Sequence, residues 1–330
     1  MKKMKAVLLN GTGGPAVLQL SQVDVPVVKP GWVLVKIRAF GLNRAELTLR
    51  QYEADSSYIQ LPIIPGIECV GEIVDPSDSQ FAVNDRVVAL MGGMGRSFDG
   101  SYAEYALLPV THVFLAKTNL EWTKLAAIPE TFFTAHGSLF ECLQLGQNDR
   151  LLIHGATSAL GLAAIQLAKT TGCTVIGTSR KKERLDFLKE VGADFAVLDD
   201  EMLSKRIRDV FPDGVTKVLE LVGVRAIPET TKLLKKHGII CSTGQLGGNP
   251  TSSFDLIKSI PNGIYLSSFY SNYPTQEVID DIFKRIEEYQ LATIIGAVFT
   301  LDEIAAAHEM MENNQAQGKI VIRTTADQVD

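Results

Sequence analysis

A turn of small residues lies between an apolar run and a helical pattern in LLIHGATSALGLAAIQLAKTTG, residues 151–172. Such a strand-to-helix turn lets backbone N–H groups and the helix dipole meet a phosphate group. On the G-x-G-x-x-G pattern of dinucleotide sites only the last glycine is present. The turn predicts phosphate contacts, and the alternative is a tight turn without a ligand. The predicted contact residues are Ala156, Thr157, Ser158, Ala159, Leu160 and Gly161.

The end of the next apolar strand, in TVIGTSRKKERLDF, bears on which dinucleotide would bind. An NAD site normally has Asp or Glu there to bind the ribose 2′-OH, whereas this chain has Ser179 and Arg180, with Arg184 close behind. An acidic side chain would repel a 2′-phosphate, and the planar guanidinium of Arg fits one. We therefore predict NADPH, bound by Ser179, Arg180 and Arg184. Alternatively, some of these basic residues are simply the solvated start of a helix.

These motifs lie in a series of alternating apolar runs and helical patterns. Strands alternating with helices in short units predict a doubly wound parallel sheet, an α/β fold. The predicted strands are 151–154, 174–178, 195–197, 218–221 and 238–242, and the predicted helices are 159–171, 181–191, 202–210 and 227–236. A helical region that begins at Pro129 and closes at Gly146 precedes them.

The two ends of the chain have a different pattern. Residues 1 to about 120 are short β-branched or alternating runs separated by Gly and Pro, which predicts a mainly β domain. From about Ile264 the chain has a strand, two amphipathic helices and a closing strand, GKIVIR. This piece is too small for a domain of its own, so we expect it to extend the β-rich domain.

Composition excludes several classes of function. A net charge of −6 does not favour a nucleic-acid or anionic-membrane surface. No apolar run approaches the roughly 20 residues that cross a bilayer, and the start MKKMKAVLLNG is too short for a signal peptide. The four cysteines are far apart with no CxxC pair, which indicates reduced thiols in a cytoplasm. The five histidines have no metal-ligand spacing, and no GxSxG nucleophile motif is present.

Several segments, taken in order, resemble the medium-chain dehydrogenase/reductase superfamily, within it the zinc-free quinone oxidoreductase branch. They are GLNRAEL, PGIECVGEI, NDRVVAL, GSYAEY, PETFFTAHGSL, HGATSALGLAAIQLAK and STGQLGG. The resemblance implies a GroES-like catalytic domain from residues 1–122 and 270–330 and a Rossmann domain from residues 123–269 that binds NADPH. It also implies a homodimer.

The zinc-dependent alcohol dehydrogenases of that superfamily have a Cys near GLN and a His in a GHE motif. This chain has Asn43 and Ile67 at those places, and neither binds zinc well. We therefore predict an enzyme without metal. By resemblance, further cofactor-binding positions lie at predicted strand ends and the start of the last strand. These are Thr134, Leu221, Val222, Gly223, Gly244, Gln245, Phe269, Tyr270 and Lys319. Alternatively, Phe269 only packs in the core, and Lys319 is only a charged residue at the start of a strand.

Without a Lewis acid, simple alcohol oxidation is disfavoured, because no group stabilises an alkoxide. Hydride addition to a quinone or an α,β-unsaturated carbonyl needs only one or two hydrogen bonds to the oxygen that gains charge. We predict Asn43 as that donor, with Tyr52 and Tyr58 supplying a proton or stacking on the substrate. Asn43 could instead satisfy turn backbone, and either tyrosine could be a surface residue. The competing functions are a nucleotide-binding sensor or structural protein with little catalysis, and a zinc alcohol dehydrogenase.

Overall fold

The structure is a computed structural model that describes residues 2–248 and 254–324. The chain divides into two compact units. The β-rich unit comprises Met1–Glu130, Asn272–Lys284 and Thr293–Asp330, and the parallel-sheet unit comprises Thr131–Ser271 and Arg285–Ala292. Compared with the predicted domains, residues 123–130 belong to the β-rich unit, and residues 270–271 and 285–292 belong to the parallel-sheet unit. Met1 and residues 325–330, which the prediction included in the β-rich domain, lie outside the described residues.

The strands are numbered in chain order over the described residues. They are β1 Lys3–Leu9, β2 Leu18–Asp24, β3 Trp32–Gly41, β4 Glu68–Asp75, β5 Arg86–Leu90, β6 Tyr105–Pro109, β7 Val113–Leu115, β8 Arg150–His154, β9 Thr174–Ser179, β10 Phe195–Leu198, β11 Val215–Glu220, β12 Leu234–Ser242, β13 Tyr265–Ser268, β14 Ile295–Thr300 and β15 Lys319–Arg323.

The α-helices are numbered in the same way. They are α1 Arg44–Thr48, α2 Trp122–Ala126, α3 Pro129–His136, α4 Ala159–Lys169, α5 Leu185–Glu190, α6 Leu203–Val210, α7 Ile227–Thr231, α8 Leu256–Ser259, α9 Gln276–Glu288 and α10 Ile304–Glu312. Two π-helical segments, Leu49–Glu53 and Gly137–Cys142, continue α1 and α3. None of the helices in the described ranges is long and apolar enough to span a bilayer.

The β-rich unit contains a sheet with the order β14-β15-β3-β4-β5-β7, in which β6 pairs with β3, and a separate hairpin of β1 and β2. The β14–β15 pair is parallel and the other pairs of this sheet are antiparallel. Strand β15, from the end of the chain, pairs with β3 through Val321 and Gly41. Both chain ends therefore build one sheet, and its core gathers apolar residues from Met4 to Ile322.

The core of the β-rich unit includes a buried polar pair. The ring of Tyr102 stacks on Phe40 with the ring centroids 4.8 Å apart, and its hydroxyl lies 2.8 Å from Nε2 of His308. Burial, with a smaller effect from the charge of Arg50, lowers the pKa of His308 to about 3. His308 is therefore a neutral imidazole that hydrogen-bonds within the core.

The parallel-sheet unit contains six strands in the order β10-β9-β8-β11-β12-β13, all parallel. The predicted parallel sheet is confirmed. Since the chain moves outward from β8 in both directions, β8 and β11 are neighbours at the centre, where the strand order reverses. In such sheets ligands bind outside the carboxyl ends of the strands at this reversal.

Two predicted helical regions were wrong in extent, and two strands were missed. The helix predicted for 227–236 ends at Thr231, because Leu234 already pairs with Val215 as the start of β12. Strands β2 and β14 were not predicted, and the helical region expected to close at Gly146 ends at Cys142. For 227–236 and for β14, pairing with another strand overrode the local signal.

Candidate functional site

The turn after β8 has the geometry of a phosphate-binding turn. Gly155 has a φ of +88°, which favours glycine, and its N–H donates to Oγ1 of Thr178 at 3.1 Å. A Cβ on Gly161 would lie 2.5 Å from the carbonyl oxygen of Ala156, so only glycine allows α4 to approach the turn. Ser158 caps α4: its Oγ accepts from the N–H of Gly161 at 3.1 Å and donates to the carbonyl of Gly155 at 3.0 Å. The predicted Ser158 contact to a cofactor stays a prediction.

The residues predicted to select NADPH lie just beyond, at the carboxyl end of β9. Ser179 is buried, and its hydroxyl accepts from the N–H of Lys181 and donates to the Lys181 carbonyl, both at 3.1 Å. Arg180 is exposed and Arg184 is half-buried. Arg180 lies close enough to Asp199 that its charge helps to lower the pKa of that carboxyl. Of the predicted trio, Arg180 offers an exposed cation at this strand end.

A buried imidazole links three strand ends at the same edge. His154 ends β8; its Nδ1 lies 2.9 Å from Oε2 of Glu220, at the end of β11, and its Nε2 lies 3.1 Å from Oδ2 of Asp199, which follows β10. Burial by itself lowers the pKa of His154, but the hydrogen bonds to Asp199 and Glu220 and their charges outweigh burial and raise it to about 9. At neutral pH His154 is therefore a cation that donates to both carboxylates.

The same carboxylates organise neighbouring loops. Glu220 accepts hydrogen bonds from the backbone N–H groups of Val222 at 2.7 Å and Gly223 at 3.2 Å. Hydrogen bonding to His154 lowers the pKa of Asp199, against a smaller opposing effect of burial. The sequence does not predict these partners of His154, because they lie 45 and 66 residues away with no local signal.

The parallel sheet brings most of the other predicted cofactor positions to this edge. Leu221, Val222 and Gly223 follow β11, Gly244 and Gln245 follow β12, and Phe269 and Tyr270 follow β13. The Phe269 ring packs edge-to-face on Phe133, with the centroids 5.8 Å apart, and Tyr270 is exposed. Thr134 is buried in α3, where its carbonyl accepts from the hydroxyl of Ser138 at 2.7 Å. None of these contacts tests cofactor binding, so the assignments stay predictions.

The β-rich unit contains a buried cluster of charged and polar side chains around Asn43, which we call the Asn43 cluster: Asn43, Glu46, Glu68 and Lys319. Nδ2 of Asn43 donates to Oε1 of Glu68 at 2.8 Å, and Nζ of Lys319 donates to Oδ1 of Asn43 and to Oε1 of Glu68, both at 2.6 Å. Glu68 is 0% exposed and Lys319 2% exposed. Lys319, predicted to contact the cofactor, is thus placed against Asn43 and Glu68.

Backbone groups complete the cluster. Oε2 of Glu68 accepts from the N–H of Glu130 at 2.7 Å, and Glu46 accepts from the N–H groups of Asn43 at 2.8 Å and Ile67 at 3.2 Å. Burial raises the pKa of Glu46 to about 7, with the Lys319 charge opposing and the Glu68 charge adding to the shift. The amide of Asn43 thus binds two charged side chains, and Asn43 is also the N-cap of α1 in a capping box with Glu46.

Both Glu46 and Glu68 were missed in the sequence analysis. A signal for Glu46 exists, since it stands three residues after the N-cap Asn43, as in a capping box. Glu68 and Lys319 lie 25 and 276 residues from Asn43, so no local pattern joins them. Tyr52 and Tyr58 are 65% and 62% exposed, and neither side chain hydrogen-bonds to another described residue.

Comparison with known proteins gives the chain two family matches. Residues 29–118 match the alcohol dehydrogenase GroES-like domain and residues 159–288 match a family described as zinc-binding dehydrogenase. A quinone oxidoreductase from Lama guanicoe is 30% identical over 97% of this chain and 97% of its own length. These matches confirm the predicted GroES-like domain and the predicted superfamily.

Solved structures share the fold over the whole length. A quinone oxidoreductase from Coxiella burnetii is 25% identical, with a TM-score of 0.84 over 98% of this chain and 100% of that one. A structure described as an NAD-dependent alcohol dehydrogenase is 27% identical, with a TM-score of 0.85 and the same coverage. The chain is thus similar both to quinone oxidoreductases and to an enzyme described as an NAD-dependent alcohol dehydrogenase.

The description of the second family implies zinc, and the Asn43 cluster does not fit that ion. Oδ1 of Asn43 and Oε1 of Glu68 both accept from the Lys319 ammonium, and Ile67 supplies no donor atom. Over residues 2–248 and 254–324, no group of three or more His, Cys, Asp or Glu residues could hold a metal ion. The cation among these oxygens is an ammonium group that belongs to the chain.

The His154 pairing predicts a pH dependence of stability. The folded-state pKa of about 9 lies above the ordinary 6.5, so the folded state holds the proton more tightly than the unfolded state. The stabilisation is complete below about pH 6.5 and lost as pH rises to about 9, and it amounts to at most about 3 kcal/mol. Urea unfolding of the wild type across this range should show the loss, and His154→Gln should remove it.

The matched control is His112→Gln, at a half-buried histidine of the β-rich unit, which should keep the wild-type pH dependence. If wild type and His154→Gln lose the same stability across this range, the pairing does not set the protonation of His154.

Proposed function

The chain belongs to the medium-chain dehydrogenase/reductase superfamily, in its quinone oxidoreductase branch, and from that premise we propose an NADPH-dependent reduction of quinones or α,β-unsaturated carbonyls by hydride transfer without zinc. The observation that carries the proposal is the Asn43 cluster. The buried ammonium of Lys319 pairs with Glu68 and with the half-buried Asn43, which by resemblance stands at the place of a zinc-ligand cysteine. Such a site supplies a hydrogen bond to an oxygen that gains charge, not a Lewis acid.

A nicotinamide cofactor fits the carboxyl edge of the parallel sheet. Glycine at 155 and 161 allows the tight turn and the close approach of α4, and the helix dipole at the start of α4 favours a phosphate. When bound, a reduced nicotinamide supplies the hydride. Support for NADPH over NADH comes from Arg180, an exposed cation at the end of β9, where NAD sites have a carboxylate.

Arg180→Ala tests the cofactor preference. Loss of a charged hydrogen bond should weaken NADPH binding by roughly 1.5 to 3 kcal/mol and leave NADH binding nearly unchanged. Fluorescence titration of the purified protein with each nucleotide measures both dissociation constants. The control is Lys205→Ala, an exposed cation of α6 in the same unit that pairs with Asp209. Equal weakening of NADPH and NADH by Arg180→Ala would contradict the assignment.

The substrate proposal rests on the chemistry of Asn43. Hydride addition to a conjugated acceptor moves negative charge onto an oxygen, and a preorganised N–H stabilises that charge. One N–H of the Asn43 amide is bound by Glu68, and the side chain is half-buried, which supports the other N–H as the donor to substrate. We also assign Tyr52 and Tyr58 as proton donors or stacking groups, supported by the exposure of both rings.

Asn43→Ala should lower kcat/KM for a quinone or enone acceptor by roughly 100-fold, because it removes an oxyanion donor, and should leave NADPH affinity unchanged. Steady-state NADPH oxidation over a panel of quinones and enones is the assay. Asn10→Ala, at an exposed asparagine of the same unit, is the control and should keep wild-type activity. Tight NADPH binding with no turnover of any acceptor by the wild type would favour a nucleotide-binding sensor instead.

We further propose a homodimer, in a cytoplasm that suits the four unpaired cysteines. Strand β13 is the edge of the parallel sheet, and Tyr265 and Leu266 on it are 56% and 37% exposed. An edge strand with free backbone groups and apolar side chains is suited to pairing with a second copy of itself.

Sedimentation analysis tests the dimer. The wild type should sediment as a dimer, and Leu266→Asp should shift it toward the monomer, because the substitution buries a charge in the proposed interface. Leu20→Asp is the matched control, since Leu20 is a 42% exposed leucine on a strand of the β-rich unit. A monomeric wild type, or the same dimer in Leu266→Asp, would contradict this interface.

A further inference from the structure

We propose that Lys319 is a positioning residue that acts through Asn43. Its ammonium holds the Asn43 amide in one orientation, so that an N–H of Asn43, and not its carbonyl oxygen, is presented to the substrate oxygen. This inference rests on the proposed function, because it concerns the donor named there.

The orientation follows from donor and acceptor chemistry. An ammonium group only donates, so the amide atom 2.6 Å from Nζ of Lys319 must be the oxygen Oδ1. Both oxygens of Glu68 act as acceptors, Oε1 from Lys319 and Asn43 and Oε2 from the N–H of Glu130, so the amide atom beside Oε1 must be the donor Nδ2. A flipped amide would set donor against donor and acceptor against acceptor.

This orientation leaves the second N–H of Nδ2 available to a substrate oxygen. Over residues 2–248 and 254–324, Glu68 is the acceptor to which Nδ2 donates, and no other described acceptor takes a hydrogen bond from it. The Asn43 backbone is held as well, since its N–H donates to Glu46 at 2.8 Å. With both backbone and amide held, the remaining N–H is preorganised, as a donor to developing charge must be.

Burial makes Lys319 suited to this task. Lys319 and Glu68 are almost completely excluded from water, which strengthens their hydrogen bonds to Asn43 and makes an unpaired partner costly. Gly41 leaves the space they need, since a Cβ there would contact Cε of Lys319 and lie 2.6 Å from Oε1 of Glu68. A mobile surface lysine could not hold the amide in this way.

The test is a double-mutant cycle of Lys319→Met and Asn43→Ala, with Lys319→Arg as the conservative variant. Lys319→Met should lower kcat/KM for the acceptor roughly 10- to 100-fold, with the KM for NADPH unchanged, and Lys319→Arg should recover part of the loss. In the Asn43→Ala background, Lys319→Met should have little further effect, because the donor it positions is already absent.

A spectroscopic readout separates this inference from the proposed function. The side-chain amide signals of Asn43 in nitrogen-15-labelled protein, identified by their loss in Asn43→Ala, should shift and broaden in Lys319→Met and return toward wild type in Lys319→Arg. This measurement needs no turnover. If the wild type reduces no acceptor, the proposed function fails, and the amide signals still report whether Lys319 orients Asn43.

Three results would overturn the inference: unchanged Asn43 amide signals in Lys319→Met, equal activity losses with and without Asn43, or a raised KM for NADPH, which would make Lys319 a cofactor contact. If Lys319→Met alone does not fold, because Glu68 is left as an unpaired buried charge, the comparison is Glu68→Gln against Glu68→Gln with Lys319→Met. The double variant should have the lower activity of the two proteins, and its Asn43 amide signals should be shifted from those of Glu68→Gln.

Discussion

The buried ion pair between Lys319 and Glu68 constrains the Asn43 cluster, because neither charge is stable there without its partner. Both side chains are out of water, at a separation of 2.6 Å, and a buried pair is tolerated only when its remaining hydrogen-bonding groups are also satisfied. Glu68 meets this condition through Asn43 and the N–H of Glu130. Because Lys319 begins β15 and Glu68 begins β4, the pair joins two strands of the β-rich unit that are far apart in sequence.

The same constraint acts in the parallel-sheet unit. His154 is a buried cation between two carboxylates, each contributed by a different strand end, and Glu220 in turn accepts from the backbone of the next loop. The paired charge of His154 thus holds together the strand ends at the edge of the sheet where the phosphate turn lies. In both units, burial of one cation determines the conformation of residues that we assign to function.

The Asn43 cluster is balanced by a charge of the chain itself. In the Asn43 cluster, the positive charge that balances Glu68 is a side chain of the protein, and it is held by hydrogen bonds and not by coordination. A fixed ammonium cannot bind a substrate oxygen as a ligand in the way an open metal site does. In the function that we propose, the neighbouring Asn43 amide supplies a hydrogen bond to that oxygen instead. This supports reactions that need a hydrogen bond, as quinone and enone reduction do.

The sequence by itself determined the local elements and the sheet type. Strand β8, the turn at Gly155 and helix α4 follow from small residues, periodicity and capping within one stretch of chain, and all three are present. The regular alternation of strands and helices was enough to predict a parallel sheet, and a parallel sheet brings its carboxyl ends to one edge. Only the tertiary structure decided that helix 227–236 stops at Thr231, that Lys319 lies against Asn43 and Glu68, and that His154 is a cation. The physical reason is range: periodicity and turn chemistry act between neighbours, whereas a buried charge is paired by residues that the chain topology brings together from far apart.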